Sequence, residues 1–342
     1  MIADDFEKAL KTGDRAAFAA AVQSLAAGIP RQRAKKVAGA AANLLPVLAH
    51  APNGIGSGLA KVIGGMCDYG ADPLTVLPTL VDCAVRVLGD AIRFMSLANE
   101  SGIALPAPDR PEALPATLTA LRSRPRPGFD ERAVTDTAEA WFSADDWIQP
   151  VLFLAQRKQV RAALPRRAEL TMAIDAVRKH IDTANWLHGL LLVLDDEPVV
   201  VLHRASGQAW RCTLSGIGDN FQLHTLLAAR LAASVGVQPP TPAELAAADT
   251  GNPQPDKGIQ GNFNLVDAFG AWIWNEGRPA DIPRCDGTRV IVIDPAPYPR
   301  GWNTGRLYPN MPPTLTVDGR LPDPDAKAWL GKVKPAVSFS SK

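Results

Sequence analysis

The sequence predicts an α+β protein: a mostly α-helical N-terminal half of helical hairpins, then a C-terminal α+β domain with a largely antiparallel sheet. Three observations carry this. Apolar residues recur at helical spacing as far as about residue 185, and from Trp186 they crowd into short β-branched runs bounded by turns. A chain of 342 residues also exceeds what one hydrophobic core usually supports. The expected organisation is a helical domain over 1–103, a Pro-rich linker or wrapped connection over 104–129, a helical segment over 130–185 packing on either half, and the α+β domain over 186–342.

The first helix covers Ile2 to Lys11 and stops at Gly13, since glycine accepts the left-handed conformation that ends a helix. Asp14 caps the second, whose apolar face holds Phe18, Val22 and Leu25. Pro30 opens a third, which Pro46 should bend or end early. GSGLAKVIGGMCDYG follows as a weaker helix, each glycine costing about 1 kcal/mol. Asp72-Pro73 is the clearest start, because the carboxylate caps free amides and a first-turn proline gives up no hydrogen bond. Leu74, Leu77, Leu80, Val81, Val85, Val87 and Leu88 carry that helix toward Asn99. Beyond the Pro-rich stretch, helices cover Glu131 to Phe142, Asp145 to Leu164 and Arg166 to Asp182. Their pairing resembles an α-solenoid of the HEAT kind in shape, without a fixed period, and the resemblance implies no function.

Past Trp186 the expectation is a three-stranded meander over 190–214, made of LLLVL, VVVLH and AWRCTL, with turns at Asp195-Asp196-Glu197-Pro198 and Ala205-Ser206-Gly207. Gly216-Ile217-Gly218 leads into a helix over 219–234, which Asp219 and Gln222 cap as a D-x-x-Q box. A loop over 236–261 holds one short helix in TPAELAAA. The region 262–318 holds a hairpin of FNLVDA and AWIWNE turning at Phe269-Gly270, then the strands TRVIVID and TLTVDG. Asp323-Pro324 starts a terminal helix over 323–334.

Composition excludes more than it identifies. Thirty-six Lys and Arg balance 35 Asp and Glu, so a net charge of +1 gives no argument for nucleic acid, anionic lipid or acidic substrate. The basic clusters RQRAKK, RSRPRP and RKQVRAALPRR lie among offsetting acids, lack aromatics for stacking on bases, and read as solvated helix faces. No uninterrupted apolar run is long enough for a membrane helix, and the acidic amphipathic start is no secretory signal, so the expected compartment is the cytoplasm. Cys67, Cys83, Cys212 and Cys285 are scattered without C-x-x-C spacing and are expected as reduced thiols; neither a metal nor a cofactor is expected.

Two residue groups carry candidate chemistry. His203 and His224 flank the Gly-x-Gly turn, and two imidazoles with Asp219 orienting one would supply acid/base catalysis on a small anionic substrate held by Arg278 or Arg300. Ser215-Gly216-Ile217-Gly218-Asp219-Asn220 lacks the further residues of a dinucleotide loop or P-loop and reads as a tight turn with a capped helix. The second group is aromatic. Trp272 and Trp274 share one face of an extended segment, with Ile273 and Asn275 on the other, and paired indoles either fill a core or anchor an interface. Asn275, Glu276 and Arg278 would form its polar margin, joined by Asp294, Tyr298, Arg300, Trp302, Asn303, Arg306 and Tyr308 from the next loop, a long one over Pro295 to Pro312. The function expected is therefore a non-enzymatic binding or scaffold protein recognising a protein partner or small ligand through this surface. The alternative is an enzyme using the histidine group.

Overall fold

In the computed structural model, which describes residues 2–251, 259–303 and 305–337, the chain divides into two units, Met1–Leu191 and Leu192–Lys342. Helices of the first are α1 (Ile2–Thr12), α2 (Arg15–Gly28), α3 (Ala34–Ala49), α4 (Asn53–Gly65), α5 (Pro73–Glu100), α6 (Leu114–Arg122), α7 (Glu131–Leu154), α8 (Lys158–Ala162), α9 (Arg167–Val177) and α10 (Asp182–Leu191). Their starts follow the chemistry of free helical amides. Asp14 accepts from Ala17 N, Asp72 from Leu74 N and Thr75 N, and Asp130 from Ala133 N. The long helices α5 and α7 form the centre, where Phe94 stacks on Trp141 with ring centroids 5.7 Å apart. Among the described residues no helix is long and apolar enough to cross a membrane.

Several boundaries differ from expectation for identifiable reasons. Pro30 lies in a single 3-10 turn, Ile29–Arg31, and Gln32 and Arg33 are extended, so the third helix starts only at Ala34. The two helices expected over 131–164 are one continuous α7 as far as Leu154, because Ser143 Oγ bonds back to Glu139 O (2.7 Å) within the helix instead of capping a new one. The Pro-rich stretch contains α6 and lies along the helices beside it. Trp141 Nε1 donates to Pro106 O at 2.9 Å, and Arg124 donates to the carbonyls of Ser101 and Gly102.

The second unit is a six-stranded sheet with α11 (Asn220–Val235) and α12 (Pro242–Thr250) on one side and α13 (Asp323–Leu330) on the other. Its strands are β1 (Glu197–His203), β2 (Gln208–Ser215), β3 (Ile259–Asp267), β4 (Arg284–Cys285), β5 (Thr288–Trp302) and β6 (Thr314–Arg320). The order is β3-β5-β1-β2-β6, with β4 on β5. Among the described residues only β1 and β5 pair in parallel, Val199 opposite Arg289, and the other pairings are antiparallel. Val199, Val201, Ile291 and Ile293 pack toward α11, and Val200, Leu202, Val290 and Val292 toward α13. Helices on both faces explain why these strands read as unbroken apolar runs.

The three-stranded meander over 190–214 is corrected to the hairpin β1–β2, with β6 as the third neighbour. LLLVL is not a strand: Leu190 and Leu191 finish α10, on the buried face that Leu187 shares, and a five-residue apolar run has no period that separates a helix end from a strand. AWIWNE is not a strand arm either, meeting β3 only through the bridge between Val266 and Trp272. The loop expected from Pro295 is β5 as far as Trp302. Beyond Ile293 the strand has lost its β1 neighbour, so Pro295, Pro297 and Pro299 sit where a missing N–H costs no ladder bond on that side. Gln222 does not close a box on Asp219; its Oε1 accepts from Gly218 N and its Nε2 donates to Ala248 O. In α13, Asp323 is the first helical residue and caps nothing. That helix ends at Leu330, and Lys334 N instead bonds Ala268 O. Within the loop expected over 236–261, Thr241 and Glu244 form a capping box for α12, and 252–258 lie outside the described residues.

The turn at Phe269-Gly270 forms as expected and depends on its glycine. Gly270 has φ +90°, and a Cβ there would collide with the Pro335 carbonyl oxygen. Gly270→Ala is expected to cost about 2 kcal/mol or more of unfolding free energy, measured by urea denaturation.

Candidate functional site

At one end of β3 and β5 the chain builds a row of aromatic side chains. Asp267 Oδ1 accepts from Phe269 N (2.8 Å) and Ala271 N (2.9 Å), closing a turn that doubles the chain back along β3. Trp272 and Trp274 then fall on one side, while Ile273 and Asn275 are buried on the other. The alternation expected from the sequence is present without a regular strand. The indole rings are 5.5 Å apart and tilted by 40°, and Tyr298 of β5 continues the row 6.3 Å from Trp272. Trp272 is pinned by its Nε1, which donates to Val337 O at 3.0 Å. Trp274 keeps 51% of its surface exposed and Tyr298 36%. Arg300 lies 6.0 Å from the Tyr298 ring and 5.8 Å from the Trp302 ring, and its Nη1 donates to buried Asn264 Oδ1 at 2.8 Å.

Behind this row one face of α11 packs on the same segment. Asn220 Nδ2 donates to Trp274 O (2.8 Å) and, one turn on, His224 Nδ1 lies 3.5 Å from Asn275 Oδ1. The His224 ring is 4.5 Å from Phe263 and 4.6 Å from Trp302. First-turn amides of α11 are taken by protein groups: Asn220 N by Gly277 O, Phe221 N by Asn275 O and Gln222 N by Asp219 Oδ1. That occupancy agrees with a capped turn at 215–220. Among the described residues Asn220 Oδ1, His224 Nε2 and Trp302 Nε1 are buried without a hydrogen-bond partner.

The histidines are not brought together as a pair. His203 ends β1 and bonds Ser206 Oγ through Nδ1 (2.8 Å), sharing no partner with His224. Burial, then the Arg300 charge, pushes His224 down to about 3, which keeps it neutral and makes it a weak base near neutral pH. Asp219 is pushed up to about 6 by burial, against the amides of Gln222 and Phe221 and the Arg278 charge. Burial raises Tyr308 to about 12, with Arg278 opposing and Asp219 adding. Asp219, Arg278 and Tyr308 thus share one local field, and the carboxylate caps α11 rather than orienting either imidazole. Among the described residues no group of three His, Cys, Asp or Glu could hold a metal ion.

Of the aromatic and polar residues expected on the surface, Trp272, Trp274, Arg300 and Trp302 belong to the row or its inner end, and Glu276 is exposed beside it. Asn275 and Tyr308 are buried. Tyr308 is buried because the chain after β5 folds back over the Gly216–Gly218 turn, where a Cβ on Gly218 would lie 2.9 Å from Leu307 Cβ. Tyr298, expected only in the margin from the next loop, is a ring of the row itself. It shares a face of β5 with Arg300 and Trp302 at i, i+2 and i+4, a pattern readable only when the proline-bearing stretch is taken as a strand. No known protein family matches the chain, and no curated protein or solved structure matches it either.

Proposed function

We propose that this is a non-enzymatic binding protein that recognises a protein partner through the surface formed by Trp272, Trp274, Tyr298 and Arg300. The observation that carries the reading is Trp274, half exposed beside two further rings held in place by the Asp267 turn and the Trp272 bond to Val337 O. Neighbouring exposed aromatics beside an arginine are the composition of interface anchors, since each ring covers a large apolar area at little entropic cost. The enzyme alternative has less support, because His203 and His224 engage separate partners and Asp219 serves the helix. Four free cysteines fit a reducing compartment, and we place the protein in the cytoplasm on that ground.

Arg300 is the cation to test, since Arg278 belongs with Asp219 and Tyr308. Trp274→Ala and Arg300→Ala are each expected to lower partner recovery about tenfold or more in quantitative affinity purification, with thermal unfolding unchanged. Met172→Ala, at an exposed position of the first unit, is the control. Undiminished recovery with both variants overturns the reading.

A further inference from the structure

We propose that the occupant of this row is a proline-rich peptide in the polyproline II conformation carrying an acidic residue at the Arg300 end; the proposal rests on the recognition reading above. Ring geometry is the first argument. Tilts of 40° between Trp272 and Trp274 and 31° between Trp272 and Tyr298 make the row a stepped surface rather than one flat plane. Centroid spacings of 5.5 and 6.3 Å are close to the ~6.2 Å that two polyproline II residues span. Successive pyrrolidine rings can pack along such a stepped aromatic surface, whereas a pyranose lies flat on a coplanar ring face.

Donor chemistry is the second argument. A polyproline segment has carbonyl acceptors at every residue and few N–H donors, so its complement is a surface of donors. Among the described residues no group accepts from the Trp274 indole N–H, although the neighbouring Trp272 N–H is taken by Val337 O. Arg300 adds guanidinium donors. Its hydrogen-bond partner is the neutral amide of Asn264, and among the described residues no carboxylate forms an ion pair with it. Arg204, Arg284 and Arg289 in the same unit each meet Asp294 or Glu197. A cation facing rings without a carboxylate calls for an anionic group on the ligand.

The test is a titration of the whole protein, read by tryptophan fluorescence and calorimetry, with a ten-proline peptide ending in two aspartates. Probes for comparison are its two-asparagine counterpart, a Gly/Ser peptide of equal length and charge, and cellohexaose. Binding of the acidic proline peptide at least about tenfold tighter than the Gly/Ser peptide is expected, weakened about tenfold again in Trp274→Ala. Trp274→Phe, which keeps a ring and removes the N–H, should lie between. Arg300→Gln should abolish the advantage of aspartate over asparagine. Equal affinity for the proline and Gly/Ser peptides, or Trp274-dependent binding of cellohexaose alone, overturns the proposal. If partner recovery still depends on Trp274 in that case, only the polyproline assignment has failed; if it does not, the recognition reading fails with it.

Discussion

Trp147→Ala is expected to lower the stability of the helical unit by about 3–5 kcal/mol. The side chain is fully buried in α7, and its Nε1 donates to Asn53 O at 2.7 Å, an oxygen that also lies 3.0 Å from Ser143 Oγ. Asn53 is the meeting point of three helices: its Nδ2 donates to Asp90 Oδ2 and Asp136 O, both at 3.0 Å, and its Oδ1 accepts from Arg86. The Arg86 guanidinium lies 5.9 Å from the Trp147 ring. Gly56 of α4 also meets the ring, an added Cβ there lying 2.8 Å from Cζ2, and it has no side chain to move into the space that a smaller residue would leave. Trp147→Phe keeps most of the volume and is expected to cost about 1–3 kcal/mol, chiefly from the lost bond to Asn53 O. Urea denaturation followed by near-ultraviolet circular dichroism measures both. Equal losses in the two variants would show that the cavity is not the cause.

Acid should act on the second unit in two opposed steps. His224 is held near 3 against an ordinary 6.5, so the unfolded chain takes up a proton that the folded one refuses, and stability falls as pH drops from about 6.5 toward 3. Its slope approaches about 1.4 kcal/mol per pH unit. Asp219 is held near 6 against 3.8, so here the folded chain takes up the proton first, and stability rises as pH drops from about 6 toward 3.8. The two offset each other between about pH 6 and 4 and leave His224 unopposed below. Asp219→Asn is therefore expected to lose stability steadily from pH 6.5 downward, and His224→Gln to gain it between pH 6 and 4, relative to their values at pH 7. Denaturation curves at pH 7, 5 and 4 decide the matter: parallel pH profiles for wild type and both variants would show that neither group is perturbed.

Much of the architecture was readable because it depends on local chemistry. Asp14 and Asp72 cap the helices they were expected to cap, Gly13 and Gly270 take left-handed backbone where the chain turns, and TRVIVID is the strand its β-branched residues require. Failures occurred where a distant partner decides. The start of LLLVL joins a helix because Leu187, Leu190 and Leu191 are buried together along α10, and nothing in five apolar residues encodes that. Prolines at 295, 297 and 299 imitate a loop, since their tolerance in β5 depends on where β1 ends. At the site, the pairing of Trp272 with Trp274 follows from alternation alone. The contact of Tyr298 with Trp272 and the burial of Tyr308 depend on which strand lies beside which, and the fate of His224 depends on Phe263 and Trp302, far away along the chain.

The one parallel pairing in the sheet sets the timing of assembly. Residues 199–203 of β1 find their partner only at 289–293, so during synthesis the ribosome must extend the chain by almost a further hundred residues before the middle of the sheet can close. Until then the nascent chain carries the β1–β2 hairpin with both edges unpaired, the valines of β1 along one of them. Polypeptides truncated before Thr288 are therefore expected to aggregate or to require a chaperone.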